Sequence, residues 1–230
     1  MRAMHARHLA RITMVSALTL ACAGATPGAQ PHDMSARQHD QSAVREEREA
    51  ERHQAKYEPD APGDAVRNPT AQHAGEAARA RKAAADHRAA SKALRDAEAR
   101  ACVGIPDDDR DMSPFAHREN IARVEPLESQ SRVKPQGAIR KTIGATVYLR
   151  SVPGITAESL QHVVDCHLAR NAALGHRVPE MDYCPLVPKG VSAKVSLRAR
   201  AFVVDISAAD PNTAGEILRR AQALGGAETP

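Results

Sequence analysis

Three cysteines lie in the body of the chain, Cys102, Cys166 and Cys184, with several histidines around them. Two kinds of chemistry are open to this set. In an oxidising compartment the first expectation is a disulfide, and three thiols leave one unpaired. Cys166–Cys184 is the expected pair, because both belong to the C-terminal region. Such a bridge would pin the Pro-rich loop 177–190 against the helix before it. It would stabilise by about 3 kcal/mol in the chain-entropy treatment. The rival chemistry is a soft-metal site. His162 and Cys166 are four apart, so a helix places them on one face. His176 and Cys184 follow in the next loop. Two imidazoles and two thiolates suit zinc or copper, although the spacing matches no compact metal signature.

Other candidates carry less. Cys166 and His167 point about 100° apart on a helix, so this adjacent pair chelates poorly. His167 falls on an apolar face and is expected to be a hydrogen-bonded core histidine. His117, near Asp111, is expected to make a local structural contact. Asp107, Asp109 and Asp111 alternate like the start of a calcium loop, but Met112 stands where glycine is needed and Arg118 where glutamate is needed. A solvated acidic turn is the better reading. No glycine-rich nucleotide fingerprint, phosphate loop, His-Glu-x-x-His or Gly-x-Ser-x-Gly is present. Cys-x-x-Cys is also missing, which disfavours thioredoxin-type redox chemistry. The expectation is a non-catalytic protein without a cofactor.

The elements that must position these residues are legible by period. Residues 138–225 form the expected α+β domain. Ala145, Val147 and Leu149 alternate with polar residues as in a strand. Thr156 caps a helix, with Ile155 and Leu160 as a hydrophobic staple. Leu160, Val163, Val164, His167, Leu168 and Leu174 line its apolar face, and Gly175 ends it. Val191, Ala193, Val195 and Leu197, then Phe202, Val204 and Ile206, predict a hairpin with a tight turn near Arg198-Ala199. A last helix after Asp210-Pro211 buries Ile217, Leu218, Ala221 and Leu224. This β-α-β-β-α order, with a possible extra strand at 121–134, is an α+β sandwich resembling a ferredoxin-like fold without its final strand. That likeness is topological and implies no activity.

Upstream, residues 103–137 read as a connector, with a short helix begun by Ser113-Pro114 and running through about Ile121. Residues 43–102 read as polar helices, stopped once by Pro59, Pro62 and Gly63. Ala80, Ala83, His87, Ala90, Leu94, Ala97 and Ala101 form a heptad seam of mostly small residues, which suits a spacer or a coiled-coil arm. Residues 22–42 lack periodicity and read as a disordered tether, and residues 226–230 as a disordered tail.

Composition narrows the partners. The chain has 230 residues, with 32 bases, 28 acids and a net charge of +4. Arg2, Arg7 and Arg11 lie in the first 22 residues, which hold no acid. Without them the balance falls to 29 bases against 28 acids. A nucleic-acid binder driven by net charge is disfavoured. Five aromatic side chains also argue against a base-stacking surface.

Residues 1–11 are cationic and residues 12–21 uncharged. Ten residues span about 15 Å as a helix, half the hydrocarbon core of a bilayer. This is the pattern of a secretory signal peptide, here residues 1–21. Leu18-Thr19-Leu20-Ala21-Cys22 resembles a bacterial lipobox. The resemblance implies that the Cys22 thiol receives a diacylglyceryl group, that the signal is cut before it, and that the new amino group is acylated. Several acyl chains make attachment stable. Ala23, in place of the aspartate that retains such proteins at the inner membrane, implies the periplasmic face of an outer membrane. The alternative is a soluble periplasmic or secreted protein cut near Ala21 or Ala25. The resemblance covers residues 1–22. The mature region is similar only in general character to uncharacterised bacterial lipoproteins.

The expected function is therefore that of a lipid-anchored envelope protein. A polar spacer sets its distance from the membrane, and its C-terminal domain acts as an interaction or structural module toward another envelope protein. The alternative is a periplasmic zinc or copper binder using His162, Cys166, His176 and Cys184.

Overall fold

A computed structural model of the chain describes residues 34–63, 68–133 and 137–225. The expected signal segment, tether start and Cys22, and the expected C-terminal tail at 226–230, lie outside the described residues. Helix α1 spans Ala36–Lys56 and α2 spans Ala71–Ala101. They pack as an antiparallel hairpin.

Helix α1 begins seven residues earlier than the expected boundary at 43. Ser35 and Gln38 make a reciprocal capping box. The Ser35 hydroxyl accepts from the Gln38 amide at 3.1 Å, and the Gln38 side chain accepts from the Ser35 amide at 2.8 Å. This satisfies two otherwise orphan donors and converts the end of the expected tether into helix.

The hairpin seam is built from small residues. Ala36, Ala43 and Ala50 of α1 are buried, as are Ala77, Ala80, Ala84 and Ser91 of α2. Ser91 donates to the Ala36 carbonyl at 3.0 Å. Every position of the expected α2 heptad is buried or half-buried, and Ala77, Ala84 and Ser91 are buried beside it. Alanine is so frequent along α2 that several faces read as apolar. Arg88 with Glu47, Arg95 with Asp40, and Arg81 with Gln54 flank the seam that forms.

The connector is shorter than expected. It contains a one-turn helix α3, Asp107–Arg110, and a 3-10 turn at Arg118–Asn120. The expected helix at Ser113-Pro114 does not form. The Ser113 hydroxyl accepts from the Phe115 amide two residues on, which makes a local turn. Phe115 is fully buried.

The α+β domain begins at Ile121 rather than 138. Strand β1, Ile121–Val133, pairs antiparallel with β2, Gly137–Arg150. Helix α4, Ala157–Ala173, follows, then strands β3, Val191–Arg198, and β4, Ala201–Ala208, and helix α5, Pro211–Gly225. The four-stranded sheet has the order β1-β2-β4-β3 with every neighbouring pair antiparallel. Pro126 is tolerated in β1 because that strand is an edge.

One face of the sheet meets α4 and α5. Val147, Phe202, Val204 and Ile206 from the sheet pack with Val164 of α4 and Ile217 and Leu224 of α5. Thr156 caps α4 in a box with Ser159. The expected staple is absent, since Ile155 is exposed. Gly175 ends α4 at φ 71°, a left-handed position, and packs directly against Ser35. The other sheet face is polar. Thr146 donates to Asp205 at 2.8 Å, Tyr148 donates to Glu125 at 2.9 Å, and the Arg123 guanidinium lies 3.8 Å over the Tyr148 ring.

The β3–β4 turn places both Ala199 (φ 48°) and Arg200 (φ 65°) in the left-handed region. A two-residue hairpin turn of this hand favours Asn-Gly, and L-residues with a Cβ are strained there by about 1–2 kcal/mol each. The double variant Ala199→Asn, Arg200→Gly is expected to raise unfolding stability by about 1 kcal/mol or more in urea melts. An unchanged or lower stability would contradict this turn geometry.

Candidate functional site

The sequence-derived metal set does not converge. Cys166 is bonded to Cys102, 64 positions earlier, and not to Cys184. The expected Cys166–Cys184 pair is therefore corrected. The end of α2 runs onto α4, bringing Cys102 to Cys166 with their Cα atoms 4.6 Å apart. His162 is exposed on α4 beside Glu158 and Asp165. His176 sits at positive φ just after α4 and donates from Nδ1 to the Val187 carbonyl at 2.9 Å. Each of the four expected ligands thus has a different environment.

A salt bridge reinforces the junction made by the disulfide. Arg170 of α4 reaches Glu98 of α2 at 2.6 Å and Asp111 of the connector at 2.5 Å. The hairpin, connector and α4 are tied together at one place by one covalent bond and one shared guanidinium.

Cys184 is a free, buried thiol. Ser113 donates to its sulfur at 3.2 Å, and His167 Nε2 lies 3.5 Å away. The pairing of thiol and imidazole invites comparison with a nucleophile and its base. The electrostatics oppose that role. Burial pushes the Cys184 thiol up from its ordinary range. Burial, aided by the nearby Arg170 charge, lowers His167 from 6.5 to about 4. Both shifts favour the neutral forms, so no thiolate–imidazolium pair is stabilised. His167 acts here as a core histidine.

The described residues bring a different set of ligating groups together in the hairpin. His53 lies near the end of α1, and His73 and Glu76 lie in the first turns of α2. His53 Nδ1 is 3.1 Å from His73 Nδ1 and 2.7 Å from Glu76 Oε2. His73 Nδ1 is 3.2 Å from the same carboxylate oxygen. His53 Nε2 contacts Glu49 Oε1 at 2.9 Å, one turn earlier on α1. Further along the seam, His39 and His87 approach with Nδ1 atoms 3.0 Å apart. Among the described residues, His53, His73 and Glu76 form the one group of three metal-ligating side chains whose ligand atoms all lie within 4.8 Å.

Sequence reasoning passed over this set. Its local signals were Glu49-x-x-x-His53 and His73-x-x-Glu76, each placing two ligating groups on one helix face. Only the pairing of α1 with α2 joins the halves.

The depressed His167 pKa has a definite consequence for stability. Its folded value of about 4 lies below 6.5, so the unfolded chain binds the extra proton between them. The contribution is complete above about pH 6.5 and is lost as pH falls toward 4. It is worth about 3 kcal/mol. His176, also lowered by burial, acts with the same sign. In urea melts at pH 7 and pH 4.5, His167→Gln is expected to lose about 2–3 kcal/mol less on acidification than the parent. Equal acid losses would contradict a buried neutral His167.

Comparison with protein families, curated proteins and solved structures found no match for this chain.

Proposed function

We propose that the chain is a lipid-anchored, non-catalytic envelope protein whose body is an interaction or structural module on the periplasmic side of an outer membrane. The observation that carries this reading is the Cys102–Cys166 disulfide. Disulfides persist where the compartment is oxidising. The lipobox-like segment at Leu18–Cys22 points to export into such a compartment. Two independent features of the chain therefore favour the same destination. No described helix is long and apolar enough to cross a membrane, so attachment in this reading rests on the lipid at Cys22.

The fold changes what the polar helices do in this reading. They return on themselves, and Ser35 at the start of α1 packs on Gly175 at the end of α4. The hairpin therefore does not act as a long spacer. In this reading the hairpin and the α+β domain act as one stapled body.

The sheet supports a finer architectural reading. β2 and β3 both run antiparallel to β4, so they are parallel to each other, with α4 as the crossover. We read this arrangement as resembling the split βαβ of a ferredoxin-like fold. β1 takes the edge beside β2 that a C-terminal strand takes in that fold. We assign partner contact to the polar sheet face, where Arg123, Lys194 and Arg198 are exposed.

Mass spectrometry of the protein from its native envelope tests the anchor. The expected result is a chain beginning at Cys22 with two or three acyl groups, and Cys22→Ser is expected to move the protein out of the membrane fraction. A chain cut without acylation, or an intact signal segment, would overturn the proposal.

A further inference from the structure

We propose that His53, His73 and Glu76 form a binding site for one divalent transition-metal ion of the zinc class, built across the α1–α2 hairpin. Three facing ligand atoms form a triangle with sides of 2.7, 3.1 and 3.2 Å. A point about 2.05 Å from all three, a normal zinc–ligand distance, lies roughly 1 Å off their plane. The triangle therefore has the size of one face of a tetrahedral site, with a fourth position for water.

The surroundings favour a cation. Two imidazole nitrogens and a carboxylate oxygen point at one another within 3.2 Å. The three atoms converge closely enough that one bound divalent ion would engage all of them at once. The donor type selects the metal. Imidazole with a single carboxylate suits zinc, copper(II) or nickel and does not suit calcium or magnesium, which take oxygen cages.

Glu49 supplies an independent observation. It engages Nε2 of His53 at 2.9 Å, on the ring edge opposite the ligand atom. A carboxylate accepting from the second ring nitrogen fixes the tautomer and leaves Nδ1 free to bind a metal. His53 and His73 are about four-fifths buried and Glu76 about two-thirds. The site is thus formed by packed helices and still open to solvent on one side. His87, whose ring meets His39 elsewhere on the seam, serves as an internal comparison.

The ion would close the loop end of the hairpin, while the disulfide holds the far end of α2. The proposal does not depend on lipidation or on the partner of the sheet face.

The test is titration of the full chain with zinc alone, after chelator treatment and with its disulfide intact. One equivalent is expected to bind tighter than about 10 µM and to raise the melting temperature. His53→Ala and His73→Ala are each expected to weaken binding by roughly 100-fold and Glu49→Gln by about 10-fold. His87→Ala should retain the parent affinity within about twofold. Glu76→Gln keeps the side-chain shape and helix propensity, and it provides a loss-of-binding test in a folded hairpin, checked by circular dichroism. No binding by the parent, or binding that survives both His53→Ala and His73→Ala, would overturn the site. So would an equal loss in His87→Ala, or competition by millimolar calcium.

Discussion

The covalent bond between Cys102 and Cys166 is the constraint on which the arrangement of the chain depends. The hairpin cannot hold itself in place through hydrophobic burial alone. Its seam is mostly alanine, and each buried alanine removes little apolar area from water, so the roughly 25 cal/mol per Å² of burial yields a small return. Charged pairs along its flanks are largely exposed and contribute little each. A loop of 64 residues closed by a disulfide contributes about 4 kcal/mol in the chain-entropy treatment. Arg170, bridging Glu98 and Asp111 beside that bond, adds directional pairing at the same junction.

That choice of partner determines the state of the third cysteine. With Cys166 consumed, Cys184 remains a thiol under the sheet, beside Ser113 and His167. Removal from water favours the uncharged form of both sulfur and imidazole. A pair that could serve as nucleophile and base in a wet, electropositive cleft is here a packed, neutral contact. The same burial that stabilises it near neutral pH makes the fold sensitive to acid.

The sheet and its two covering helices were largely legible in the sequence, because period-two and helical alternation survive where one face is buried. Thr156, Gly175 and Asp210 mark boundaries through short-range hydrogen bonds and backbone sterics. β1 was weaker, since Arg123, Glu125 and Pro126 interrupt its pattern on an exposed edge, and the domain boundary was placed after it. The cysteine pairing was misread because closeness in sequence stood in for closeness in space. The fact that α2 ends on α4 follows from tertiary packing and leaves no local trace at Cys102. The histidine cluster was hidden for a related reason. Glu49 with His53, and His73 with Glu76, are each ordinary helix-surface pairs until the hairpin folds.

Non-reducing peptide mapping of the native protein tests the central claim most directly. Free thiols are blocked under denaturing conditions before digestion. The account predicts a linked peptide pair containing Cys102 and Cys166, with Cys184 recovered in its blocked form. A linked pair containing Cys184, or Cys102 recovered as a blocked free thiol, would contradict it and would separate the helical hairpin from the domain it is held against.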